Sequence, residues 1–174
     1  FCAALLSSVA YMAGSFGEET IKQSWKRLGR QAFFVHTASV IGIVATLFYI
    51  ILNHYFEYQY AWQHSSRDLP VRYMFSCFWE GQEGSFLLWM LWHAILGCVL
   101  IFTSGKWEAP VIGIFASVQI FLASMLLGVH VLGYKLGSNP FMLLREHPDF
   151  ADLPWTKVAD YLKNLDGRGL NPLL

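Results

Sequence analysis

The side chains best suited to chemistry in this sequence are its histidines and the polar run EGQEGS at Glu80–Ser85. Two imidazoles at one level would make the axial pair of a haem, and clustered imidazole, thiolate or carboxylate groups would make a metal site. His36 lies about four residues into one apolar tract, ~6 Å deep, and His93 about nine residues into another from the opposite side, ~14 Å deep. His130 lies near the outer end of a third tract, so His36 and His130 belong to opposite sides of a bilayer and cannot share one metal. His54 and His130 fall at similar depth, with His64 in the adjoining loop as a possible third member. A haem or metal role for that pair stands against plain interfacial hydrogen bonding. An ionisable residue at membrane depth is costly, so His93 raises a functional hypothesis against a neutral imidazole bonded to a neighbouring helix. Cys2, Cys77 and Cys98 are scattered and show no C-x-x-C or Cys/His ligand spacing, which indicates neither a disulfide framework nor a zinc site. Cys98 reads as a small apolar residue on a buried helix face.

The EGQEGS run admits two readings. In the structural one, Ser85 or Glu83 supplies oxygen to the free amides that open a helix, the carboxylates suit the positive end of its dipole, and Gly81 and Gly84 permit a tight turn. In the functional one, the glycines allow close approach of a flat ligand or partner. Trp79, Phe86 and Trp89 then form an aromatic wall, and Gln82 or Glu83 the polar contacts. Helical spacing puts Phe86, Trp89 and His93 on one face, which lipid or another helix could equally occupy.

These residues are carried by apolar tracts at Phe1–Phe16, Ala32–Asn53, Gly84–Gly105 and Ala109–Tyr134. Gly84–Gly105 contains no Asp, Glu, Lys or Arg, and a helix needs about 20 such residues to cross ~30 Å of hydrocarbon. The composition agrees: 55% hydrophobic, 17% aromatic and only 14% charged residues, at zero net charge, fits a membrane protein and suggests no nucleic-acid partner. The fold class expected is all-α: a polytopic integral membrane protein of about four transmembrane helices, organised as a single membrane domain over 1–174. No basic flank precedes the apolar start at Phe1 and no Met opens it, so the first tract reads as the end of a truncated membrane helix. Lys22, Lys26, Arg27 and Arg30 sit beside the second span and outnumber Glu18 and Glu19, which makes that loop cytoplasmic. The loop 54–83 and the tail 135–174 then face outward. Trp79, Tyr60, Trp62, Tyr73 and Tyr134 mark the outer boundary, and Trp25 and Trp107 the inner one. In the tail, Trp155, Val158, Ala159, Leu162 and Leu165 form the apolar face of an amphipathic helix expected at the outer surface.

The run FWEGQEGSFLLW at Phe78–Trp89, and DGRGLNPLL at Asp166–Leu174 preceded by NPF at Asn139–Phe141, resemble the cytochrome c assembly proteins of the CcmF and CcsA type. The resemblance covers essentially the whole chain and the N-terminal part of the family's length. It implies a haem-handling protein of the bacterial inner membrane, a haem lyase component that presents haem on the outer side and promotes thioether formation to the C-x-x-C-H cysteines of apocytochrome c. A haem-delivery protein or other maturation subunits, and the lipid bilayer, are the further partners it implies. The family's haem-ligand histidines are expected beyond Leu174, in a His-Pro-Pro segment and around a tryptophan-rich loop, so no ligand transfers to this sequence. Gln82 stands where many relatives have His, which leaves hydrogen bonding but not imidazole chemistry at that point. Two other classes compete: a transporter fragment, which would show inverted repeats, broken helices or buried ion-pairing groups, and a haem-anchoring subunit of a respiratory complex, which would need paired histidines at one depth.

Overall fold

The computed structural model describes residues 1–15, 19–131, 134–147, 150 and 165–170. The helices are α1 (Cys2–Ala13), α2 (Glu19–Leu52), α3 (Gln59–His64), α4 (Val71–Glu80), α5 (Gln82–Thr103) and α6 (Glu108–Leu127), with 3-10 turns at Gly105–Trp107 and Leu144–Glu146. Beyond α6, β1 (Val129–Val131) and β2 (Tyr134–Leu136) pair antiparallel in a short ribbon, with His130 opposite Lys135. Among the described residues the fold is therefore all-α with one hairpin. Glu19–Leu52, Gln82–Thr103 and Gly105–Leu127 are long and apolar enough to cross a membrane. The chain is an integral membrane protein. The apolar α1, at 12 residues, reaches only about 18 Å. The tail helix expected around Trp155–Leu165 lies, apart from Leu165, outside the described residues.

Two tract boundaries differ from expectation for identifiable reasons. The basic stretch before Ala32 is not a loop, because α2 begins at Glu19 and runs through it for 34 residues. Its residues are mostly good helix formers, and Lys22 pairs with Glu19 one turn back at 2.9 Å. The fourth span, expected to Tyr134, stops at Leu127, where Gly128 takes the left-handed conformation (φ 66°, ψ 53°) that ends a helix. Uninterrupted apolarity cannot distinguish helix from the strand that follows.

The chain divides into two compact units, Phe1–Ile43 with Phe86–Gly137, and Val44–Ser85 with Ser138–Leu174. The first unit is held by small residues and intruding rings, as expected where lipid supplies no hydrophobic drive between helices. Buried Ala4, Ser7, Ser8 and Ala10 of α1 and Gly113 and Ala116 of α6 let those two helices approach, and the Ser8 and Ser117 hydroxyls bond at 2.9 Å. Gly29 of α2 receives the Tyr11 ring, 2.8 Å from where a Cβ would stand, and Gly97 of α5 receives the Phe33 ring. Val35, Phe102, Ile114 and Phe121 remain more than half exposed, the apolar exterior that a bilayer requires. The second unit has its own core of Ile50, Phe56 and Ala61, with Tyr58, Trp62, Phe141 and Leu165 packed against it.

Candidate functional site

The EGQEGS run is the junction between two helices. α4 ends at Glu80, Gly81 is extended (φ −82°, ψ 159°), and α5 starts at Gln82. Such a break leaves carbonyls of the first helix and amides of the second without partners. Tyr60, on the six-residue α3, supplies both needs with one hydroxyl. It donates to the Phe78 carbonyl at 2.7 Å, lies 3.3 Å from the Cys77 carbonyl and accepts the Gly81 N–H at 3.2 Å. Ser85 donates its hydroxyl to the Trp79 carbonyl at 2.8 Å, so it does not cap the amides of α5 as expected from sequence. The glycines are required by space and not by a left-handed backbone, since neither Gly81 nor Gly84 has positive φ. A Cβ on Gly81 would stand 2.6 Å from the Tyr60 ring and 2.7 Å from His64 Nε2, and one on Gly84 would overlap the Phe78 carbonyl.

His64 lies one turn beyond Tyr60, its ring 4.6 Å from the tyrosine's and its Nδ1 3.5 Å from the Glu80 carboxylate. Burial pushes its imidazole below the ordinary range, outweighing the upward pull of Glu80. Burial likewise holds the Tyr60 phenol protonated, and with Glu80 nearby pushes the Cys77 thiol up to about 11, leaving it inert as a nucleophile.

The same short helix collects the other two motif runs. Through Asn139–Phe141 the chain turns, the Asn139 side chain accepting the Phe141 N–H at 3.0 Å. It then bonds alongside the start of α3, with Gln59 N–H to the Met142 carbonyl at 2.9 Å and Leu144 N–H to Glu57 at 2.7 Å. Asp166–Gly169 lies over the end of α3. The Asp166 carboxylate accepts the Arg67 and Gly167 amides, Arg168 N–H reaches the Trp62 carbonyl at 2.8 Å, and its guanidinium sits 4.3 Å above the Trp62 ring. Gly167 has no room for a Cβ against the Ser65 carbonyl, and Gly169 is left-handed at φ 78°. The stretch 54–83, expected as loop, thus contains two helices, and α3 within it is a hub that sequence reasoning missed. Its signal was the aromatic and histidine spacing Tyr60–His64.

Around this hub the predicted site residues separate by role. Gly81 and Gly84 are buried and Glu83 and Ser85 half-buried, whereas Gln82 is exposed and Trp79 and Trp89 show 47% and 60% of their surface. Phe86 meets Trp89 edge-on at 5.6 Å, but His93 leaves that face and stacks on Phe115 of α6 at 4.1 Å. His54 serves through its backbone. At φ 54° it ends α2, with Tyr55 N–H bonding Ile50 and His54 N–H bonding Ile51, the pattern of a Schellman cap. The side chain of His130 lies outside the described residues.

A haem held as a resident group needs axial donors facing one gap. Among the described residues no three His, Cys, Asp or Glu side chains cluster for a metal, and the glycine faces a flat ligand would use are filled by Tyr60, His64 and Phe78. The groups left exposed at the junction itself are the Trp79 indole and the Gln82 amide.

In the first unit, sequence reasoning missed an ionic cluster. Glu108, at the start of α6 and 1% exposed, takes the Arg30 guanidinium through both oxygens, Lys26 at 2.7 Å and the Tyr11 hydroxyl at 3.1 Å. Its signal was a lone carboxylate opening an apolar tract.

Compared with known proteins, the chain is similar over its whole length to one group. It is 28% identical over 181 residues to the cytochrome c-type biogenesis protein CcmF of Haemophilus influenzae, covering 100% of this chain and 24% of that protein. It is 30% identical over 179 residues to CcmF of Pseudomonas aeruginosa, covering 99% and 23%. The chain is thus similar from end to end to CcmF-type cytochrome c biogenesis proteins. CcmF of Pseudomonas fluorescens gives 28% over 179 residues, again with 99% of this chain and 23% of the relative. The chain thus spans about a quarter of the length of these CcmF proteins. No family model and no solved structure matches it.

Proposed function

We propose that this chain is the motif-bearing membrane part of a cytochrome c assembly protein that takes haem as its cargo at the outer face of the bacterial inner membrane. In the reaction served, each cysteine of the apocytochrome C-x-x-C-H segment adds across a haem vinyl group: sulfur bonds one carbon, the thiol hydrogen goes to the other, and no external redox reagent is consumed. The observation that carries this reading is the convergence on α3 of the described residues of all three motif runs, in a chain similar to CcmF proteins from end to end. Trp79, Gln82, Glu83 and Trp89 are assigned to the haem-proximal edge, and Gly81, Gly84 and Ser85 to holding its shape. The axial ligands are assigned to segments beyond Leu174, and apocytochrome c and other maturation subunits are the partners.

The test uses the full natural protein in a strain lacking its own assembly protein, with holocytochrome c read by haem-dependent peroxidase staining. One aromatic contact is worth roughly 0.5–1.5 kcal/mol, so Trp79→Ala should lower the yield roughly two- to tenfold at unchanged membrane level. Exposed Ser39→Ala on α2 should leave it unchanged. Unaltered yield in Trp79→Ala, or a stoichiometric six-coordinate haem spectrum from residues 1–174 alone, would overturn the reading.

A further inference from the structure

The first unit carries a cleft of about 760 Å³ whose lining is cationic: Lys22, Lys26, Arg27 and Arg30 from the first turns of α2, and Lys106 with Trp107 from the turn between α5 and α6. Five cations meet two carboxylates there, Glu19 in the lining and Glu108 behind it. Lys22 is engaged by Glu19, and Lys26 and Arg30 by Glu108. Arg27 and Lys106 are exposed and pair with no carboxylate among the described residues. The excess survives even if Glu18, outside the described residues, is counted against it.

The level of the cleft matters as much as its charge. Lys22 to Arg30 spans eight helical steps, about 12 Å, ending just before the apolar part of α2, and Lys106 sits on the short turn joining two spans. That is the depth of a headgroup layer, whichever face of the bilayer it is. Ile21, Trp25 and Trp107 beside it are exposed at 50%, 37% and 63%, apolar and indole surface suited to the glycerol and upper acyl region.

We propose that this cleft binds the phosphate of an anionic phospholipid headgroup, with Arg27 and Lys106 as its free donors and Lys26 and Arg30 held in place by the buried Glu108. A basic residue near an anionic lipid headgroup contributes enough that losing two should weaken binding about thirtyfold, ~2 kcal/mol at 1.4 kcal/mol per tenfold. The measurement is native mass spectrometry of the full chain, delipidated in detergent and titrated with dioleoylphosphatidylglycerol or dioleoylphosphatidylcholine. One phosphatidylglycerol should be retained at least about tenfold more tightly than phosphatidylcholine. Arg27→Gln with Lys106→Gln should remove that preference and leave phosphatidylcholine binding alone, while Arg72→Gln on α4 should change neither. If the double variant loses helicity, the wild type decides: its preference must shrink as salt rises, because exposed charges are screened. Equal retention of the two lipids, the same loss in Arg72→Gln, a salt-independent preference, or displacement of the lipid by inorganic phosphate but not by chloride at the same ionic strength would each refute the proposal.

Discussion

The α3 hub and the Glu108 cluster solve the same problem by opposite means. Each fixes the end of an apolar helix, α5 in one case and α6 in the other, at a point where the chain leaves regular structure. At the hub the fastening is neutral: one phenol oxygen bridges a carbonyl and an amide, and glycines let rings and backbone close to contact. At Glu108 it is ionic, one buried carboxylate answering two cations and a phenol from α1 and α2. A neutral joint depends on shape and fails when atoms are added. An ionic joint depends on compensation and fails when charge is removed, with a cost that water can lessen.

The sharpest contrast comes from adding atoms at the hub. Gly84→Val places a Cβ on the Phe78 carbonyl and against the Tyr60 hydroxyl, and backbone cannot swing away as a side-chain tip can. The expected loss is about 3–5 kcal/mol, at the upper end for a point substitution. Cys77, fully buried with its thiol pushed up to about 11, reports the opening when Cys2 and Cys98 are replaced by Ser. Its alkylation should accelerate at least about tenfold, corresponding to ~1.4 kcal/mol of easier local opening. A rate equal to that of the parent would show that the junction does not rely on close approach.

Removing charge at the other joint should cost less. Glu108→Leu leaves Lys26 and Arg30 without their counter-ion, and breaking a fully buried pair costs about 3–5 kcal/mol. Here the two cations are 32% and 43% exposed and can turn to water, so the expectation falls to about 1–3 kcal/mol. Thermal unfolding in detergent measures it, and Arg30→Met should cost less in the Glu108→Leu background than in the parent. Additive effects of the two changes would mean that the residues are not coupled.

The smallest effect belongs to pH at the hub. The His64 imidazole titrates below its ordinary value because burial favours the neutral form. Its contribution is therefore complete above about pH 6.5, the unfolded value, and is lost as pH falls through the folded one. The parent should lose more thermal stability between pH 7.5 and pH 5 than His64→Gln does. A larger loss in His64→Gln would mean that the folded chain favours the charged imidazole instead.

How much of this was legible depended on whether the controlling partners were near in sequence. The spans were visible because apolarity over about 20 residues has one dominant meaning. The importance of Gly81 and Gly84 was visible as well, but the cause was not. A tight turn with a serine or glutamate cap was expected, whereas Tyr60, 21 residues upstream of Gly81, makes the closure. The DGRG run could be tied to the turn only through the family resemblance, since Asp166 meets Arg67 across 99 residues. The cap that His54 makes at the end of α2 was not legible, because residue type is readable and φ is not. Glu108 escaped notice because its partners come from two other helices.

The Arg30–Glu108 contact joins residues 78 positions apart in the chain. A ribosome adding about 5–20 residues per second reaches Glu108 roughly 4–16 s after Arg30 has been made. During that interval α1 and α2 exist, and the cations of α2 have no buried carboxylate to meet. The order of synthesis therefore assigns α6 the step that completes this ionic cluster, and a nascent chain arrested before residue 108 presents Lys26 and Arg30 to the headgroups alone.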